Sequence, residues 1–442
     1  MTRILGIEVR RSAALGTVLV LLVAGGILLY AAPQRWAASW MALAMAEREY
    51  LVLLWPLALA AGAWQARREH RSHVAELFAS TARPRVQRMV PVLGAMAIAA
   101  AAAYLLVAAA GLPWIIDTAH YLPARAFLVL AVGVLAMIGG VWLGLAVGRL
   151  VPSMVTAPVL AVAGIAFLML LPVATGHRNW LSLVFSPMYG MGQYTDYQTV
   201  GARVSVAQVI WLIAFAVAAA VLLASGGWRT RVAALLPVTL GAALALAVVP
   251  RGEFVDNPTD TVAQELVCAD GAPRVCVSRV HAGLLSEVVP PARQALAALA
   301  KLPDAPTAVH EDTTTYYPSW SPAPQPGVVL LDVHVDKYGH LAWPDRVVPR
   351  VVIAALTPPI ACEDGFNPSA SRAAAAYVLG VEPVAGWGEW DVVSDQPDTE
   401  QAALWNGLRK LPEQEAVARV AALRRAAAGC KDLKDALTGS AR

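Results

Sequence analysis

The residues that could do chemistry are few in this chain. His310-Glu311 comes nearest to H-E-x-x-H, the zinc-peptidase helix in which two imidazoles hold the metal and the glutamate activates water. Here Asp312, Thr313 and Thr314 follow, so the second imidazole is missing, and His334 and His340 are too far apart to replace the pair. No G-x-S-x-G is present to raise a serine on a strand-to-helix elbow. Glu363-Asp364 and His334 with Asp336 read as solvated loop residues, so neither a catalytic residue nor a metal site is expected. Phosphate chemistry fails on the same count. The P-loop needs a lysine directly after its second glycine. All five lysines (Lys301, Lys337, Lys410, Lys431 and Lys434) lie after residue 300, and none follows a glycine. This chain cannot hydrolyse ATP by that route, and it carries no cofactor motif of its own.

The four cysteines, Cys268, Cys276, Cys362 and Cys430, all lie in the last third. An even number confined to one polar region favours two disulfides and an oxidising compartment outside the cytoplasm. Free buried thiols or a metal set are the alternatives, but the spacings lack the C-x₂₋₄-C pairs of zinc sites. Val262–Cys268 and Pro273–Ser278 read as two short strands around Ala269-Asp270-Gly271-Ala272. That hairpin would bring Cys268 to Cys276 and leave Cys362 for Cys430. Four cysteines nevertheless allow three connectivities.

The elements that position these residues follow from composition. The chain has 442 residues, 58% hydrophobic and 15% charged, where a soluble domain is nearer one half and one quarter. The formal net charge of +3 gives no reason to expect a nucleic-acid partner. A span needs about 20 apolar residues to cross a core of about 30 Å. Seven stretches qualify: 13–32, 50–66, 89–112, 124–148, 156–173, 204–225 and 232–249. A short basic stretch, 1–12, precedes them and reads as an interfacial helix. No predicted span carries an Asp, Glu, Lys or Arg well away from its ends, which argues against a proton-driven secondary transporter.

The polar interruption from Gln65 to Arg88 orients the set. It holds Arg67, Arg68, Arg71, Arg83, Arg85 and Arg88 against only Glu69 and Glu76. Arginine in a short loop resists translocation, so this loop is expected in the cytoplasm with the amino end. The outer segments are then 33–49, with Glu47 and Glu49, and 113–123, 174–203 and everything after Pro250. Residues 73–79 read as a short helix with Val74, Leu77 and Phe78 on one side. A solvated loop has no use for such a stripe, which points to a docking partner. Between the fifth and sixth spans, 179–194 is apolar and aromatic but too short to cross, as in re-entrant or interfacial segments. Gly140, Gly144 and Gly148 form a small-xxx-small ladder, suited to packing within one bundle or to a subunit interface.

From Arg251 the composition becomes that of a soluble domain. Short strands, a helix over 282–302 interrupted at Pro290-Pro291, a strand over 328–335, an ambiguous stretch at 347–356 and helices over 369–379, 402–410 and 413–428 add up to an α+β domain. The fold class expected is therefore an α-helical polytopic membrane protein of six spans plus a seventh, followed by a soluble extracytoplasmic α+β domain.

Residues 1–231 resemble the membrane subunit of an ABC-2 type ABC transporter, an actinobacterial exporter permease. The likeness rests on WPLALAAGAWQARRE and AELFASTARP, within Trp55 to Pro84, and on the topology. It implies a coupling helix at Val74, Glu76, Leu77 and Phe78, rimmed by Arg67, Arg68 and Arg71, that seats in a separate cytoplasmic ATPase. It further implies a second permease subunit and a place in the cell membrane. The seventh span at 232–250 and the domain at 251–442 depart from the simple family pattern. A membrane-anchored enzyme or sensor working through that domain, in the form of a degenerate peptidase-like fold, is the competing expectation.

Overall fold

The computed structural model describes residues 13–71, 85–176, 178–188, 195–251, 257–316, 319–358, 367–383, 399–431, 433 and 436–438. It divides into two compact units, 1–260 and 261–442. The first is helical: α1 (Ala14–Ala31), α2 (Trp40–Glu49), α3 (Leu51–Arg71), α4 (Arg85–Ala110), α5 (Ala124–Leu150), α6 (Thr156–Thr175), α7 (Asn179–Phe185), α8 (Ala202–Ala224), α9 (Trp228–Ala233) and α10 (Leu235–Val248). Among the described residues six helical stretches are long and apolar enough to cross a membrane, and Leu51–Arg67 is a shorter apolar helix. The expected interfacial helix at 1–12 lies outside the described residues.

Named contacts fix the direction of each helix. α3 and α5 run the same way, because Trp55, Leu59 and Ala63 meet Gly140, Gly144 and Gly148 in order. α8 joins them: Gly139 faces Phe215, and Arg149 Nη1 donates to the Leu223 carbonyl at 2.5 Å. α4 runs opposite to α5, with Tyr104 against Gly133 and Trp142 Nε1 donating to the Leu93 carbonyl at 3.0 Å. α1 follows α4, through Gly25 on Val107 and the Tyr30 hydroxyl on the Ala110 carbonyl. α6 opposes α3, and α10 opposes α8. The direction thus alternates along the chain through α1, α3, α4, α5, α6, α8 and α10.

The seam between α3 and α5 is a backbone contact. A Cβ on Gly144 would stand 2.0 Å from the Leu59 carbonyl oxygen, and one on Gly62 would stand 2.1 Å from that of Val141. Only glycine permits such an approach. The ladder of Gly140, Gly144 and Gly148 is therefore covered by α3 of the same chain. α5 is the central helix, with half of its most apolar stretch buried against 11% for α6. Side chains such as Val162, Leu170 and Val173 on α6 stay exposed, as suits a surface bathed in hydrocarbon.

The connectors at one end of the bundle form a cap. Trp36 Nε1 donates to the Leu29 carbonyl and Trp40 Nε1 to that of Ala119. The Tyr121 hydroxyl donates to Asp260 at 2.9 Å, and Thr199 N donates to the Pro258 carbonyl. Glu47 to Glu49 do not lie in a loop, as the charge pattern suggests. Ser39 Oγ accepts from Ala42 N and starts α2, and Tyr50 carries the chain into α3 through Tyr50 N to the Ala46 carbonyl and Leu54 N to the Tyr50 carbonyl. Of the stretch expected to be re-entrant, α7 is a short helix in this cap with Ser182, Leu183 and Val184 buried, and 189–194 lie outside the described residues.

The second unit is built on a four-stranded mixed sheet, ordered β1 (Leu266–Cys268), β2 (Arg274–Ser278), β3 (Ala308–Glu311) and β6 (Val328–Leu331). A separate small ribbon pairs β4 (Thr315–Tyr316) with β5 (Ser319–Trp320). β1 and β2 form the expected hairpin, while β2–β3 and β3–β6 are parallel. Parallel neighbours need a crossover, supplied between β2 and β3 by α11 (Leu285–Leu299). Its Val288, Ala292, Ala295 and Leu299 pack on Val275, Val277, Val309 and Val329. Pro290 and Pro291 sit inside this helix without breaking it. Pro290 and Ser286, whose carbonyl it leaves without an amide partner, are both exposed, so water can serve that oxygen. The ambiguous stretch at 347–356 resolves as α12 (Val347–Ala355). α13 (Pro368–Leu379), α14 (Thr399–Arg409) and α15 (Glu413–Ala428) complete the core.

Two outcomes follow from these contacts. Gly144→Val should destabilise the bundle by at least about 2 kcal/mol, read as a lost or lowered thermal transition of the purified protein. In the second unit, Glu287 accepts from His340 Nδ1 at 2.9 Å and, with the nearby carboxylates, holds that imidazole above its usual value. The ion pair supports the fold below the ordinary imidazole range and is lost as pH rises through the raised value. Proton NMR of His340 should show the raised pKa in the wild type and a lower one in Glu287→Gln.

Candidate functional site

Among the residues expected to couple to a partner, Arg67 is half-buried near the end of α3, and Arg68 and Arg71 belong to its last turn. Val74, Glu76, Leu77 and Phe78 lie outside the described residues. The helix ends joined by that segment, those of α3 and α4, are at the opposite end of the bundle from the cap.

Inside the cap is a charged cluster that the sequence reading left in a loop. Arg48 is 1% exposed. Its Nε donates to the Pro187 carbonyl at 2.9 Å and Nη1 to the Val129 carbonyl at 3.2 Å, while Nη2 also donates to the Pro187 oxygen. Nη2 also donates to Gln208 Oε1 at 3.0 Å, and Gln208 Nε2 passes the chain of bonds to the Leu183 carbonyl at 2.7 Å. One guanidinium therefore ties α2 to α5, α8 and the residues after α7. Its planar fork of five donors suits several acceptors in different directions. Beside it, Glu47 is 0% exposed, and among the described residues neither carboxyl oxygen has a hydrogen-bond partner. The hydroxyls of Tyr50 and Tyr104 are likewise buried and unpartnered.

The second unit holds its own buried polar group. Glu311, at the end of β3, accepts from Ser278 N at 2.7 Å, and its Oε1 is 2.6 Å from His281 Nδ1. Ser278 Oγ approaches the same Nδ1 at 3.3 Å. A nucleophilic triad needs the acid on one ring nitrogen and the hydroxyl on the other. Here both face one nitrogen, and the arrangement pins the end of β2 to β3. His310, further back on β3, is held below its usual value by burial and then by Arg274. Among the described residues no three His, Cys, Asp or Glu side chains cluster to hold a metal. Cys268 and Cys276 are disulfide-bonded across the β1–β2 hairpin. Cys430 is also disulfide-bonded, and its expected partner Cys362 lies outside the described residues.

Six helices of membrane-crossing length among the described residues, followed by a compact unit on a small mixed sheet, are consistent with a polytopic membrane protein that carries a soluble domain. Comparison of the chain with protein-family models, curated proteins and solved structures finds no match.

The Arg48 network makes a direct expectation. Arg48→Lys should cost at least about 2 kcal/mol, because an ammonium cannot serve all the carbonyls and the amide that the fork reaches. Thermal unfolding of the purified variant checks this, and Gln208→Leu should fall between it and the wild type.

Proposed function

We propose that this chain is the membrane-spanning subunit of an ABC-2 type transporter, moving a substrate across the cell membrane with ATP hydrolysed by a separate subunit. The observation that carries the reading is the Gln65–Arg88 segment. It joins two apolar helices, holds six arginines against two glutamates, and has an apolar stripe at Val74, Leu77 and Phe78. A basic loop between spans belongs on the cytoplasmic side. An apolar stripe within it serves a protein partner better than it serves water. The alternation of helix directions supports this reading, since the segment and the cap emerge at opposite ends of the bundle.

On this reading the ATPase closes on ATP and moves residues 73–79. α3 and α4 carry the motion along the bundle, since they continue directly from that segment. The glycine seam makes α3 and α5 respond together. A second subunit, another copy or a sister chain, completes the substrate path. The soluble unit lies outside the cell, where a disulfide persists.

Replacing Leu77 and Phe78 by Asp tests the proposal. The variant should fold as the wild type does and lose co-purification with the ATPase. Undiminished ATPase recovery with the double variant counts against the reading.

A further inference from the structure

Glu47 has no role in the reading above and stands independently of it. It is an acid enclosed on every side, with both oxygens unpartnered. Its neighbour in the chain does not serve it: the Arg48 guanidinium is turned to Pro187, Val129 and Gln208. The other groups around it are Arg35, Glu49, Tyr50 and Tyr104. Arg35 is taken up by Glu49 at 2.7 Å. Tyr50, from the α2–α3 junction, and Tyr104, from α4, lie close enough to Glu47 to interact with it electrostatically. The other ionisable residues of α3 are clustered in its last turns, and those of α5, Arg125 and Arg149, stand at its two ends. The Tyr104 hydroxyl is itself enclosed, and it sits where a Cβ on Gly133 would be 2.2 Å away. Among the described residues, two buried phenols without hydrogen-bond partners thus lie within electrostatic reach of an equally unpartnered carboxyl.

An isolated carboxylate in such surroundings is strongly disfavoured, and the group neutralises itself instead. The smallest ligand that neutralises it is a proton. We propose that Glu47 is a proton-binding site at the capped end of the bundle. It is protonated while the cap is closed around it, and it ionises only when that end opens. Ionisation breaks the O–H bond of the neutral acid, passes the proton to an entering water and leaves the carboxylate hydrated. Opening of the cap and release of one proton are therefore linked, and higher pH favours the open arrangement.

The test uses the full chain in lipid nanodiscs. Infrared difference spectra of the wild type near neutral pH should contain the carbonyl band of a protonated carboxylic acid, absent from Glu47→Gln. The thermal transition of the wild type should fall from about pH 5 to about pH 8, by up to about tenfold in the folding constant per pH unit, and level off above that. That sign follows because the folded acid binds its proton more tightly than the unfolded one. Glu47→Gln should stay level over the same range. If it fails to fold, Tyr104→Phe keeps the ring and removes a phenol dipole within electrostatic reach of the acid, and the wild-type band should shift with that change of local field. No band in the wild type, an unmoved band in Tyr104→Phe, or parallel pH profiles for wild type and Glu47→Gln would overturn the proposal. So would stability at high pH that rises specifically with sodium or potassium, because a metal cation would then be the ligand.

Discussion

The contact on which the helical unit depends is the one where α3 and α5 touch backbone to backbone. In hydrocarbon, apolar side chains gain nothing by leaving the solvent, so helices hold together through close packing and internal hydrogen bonds. Gly62, Gly140, Gly144 and Gly148 allow that approach over more than two turns. Every other helix is placed from this pair. α4 and α8 lean on α5, α6 leans on α3, and α1 and α10 are added outside through α4 and α8. The exposure of α6 and α10 follows from their being outermost.

The cap shows the opposite physics. Short connectors cannot pair their own carbonyls as helices do, and buried polar groups need partners. Arg48 and Gln208 supply donors to Pro187, Val129 and Leu183, and the tryptophans at positions 36 and 40 supply two more. Glu47, with the hydroxyls of Tyr50 and Tyr104, is left outside this network. An acid so enclosed is better understood as a group that changes its protonation than as one left over.

The second unit brings together polar residues that lie far apart in its sequence. His281, Glu311 and Ser278 have the residue types of a hydrolase, and only their geometry shows both partners on one ring nitrogen. The tie between β2 and β3 is a structural use of the same atoms, holding parallel strands whose other connection is a helix away.

Much was legible from the chain alone, because hydrophobic length and turn chemistry are local. The apolar stretches, the β1–β2 hairpin with Cys268 opposite Cys276, and helices α13 to α15 follow from neighbours in sequence. Gly140, Gly144 and Gly148 were visible as a ladder, yet a ladder does not name its partner. Only the fold put α3 of the same chain against it. Glu47 and Arg48 looked like solvated residues because charge next to an apolar run usually marks its end. Their burial depends on α4, α5, α7 and α8, which lie far away in sequence and converge there. No local pattern records which acceptors will surround a guanidinium, or that none will meet a carboxyl; those facts exist only once distant segments share one space.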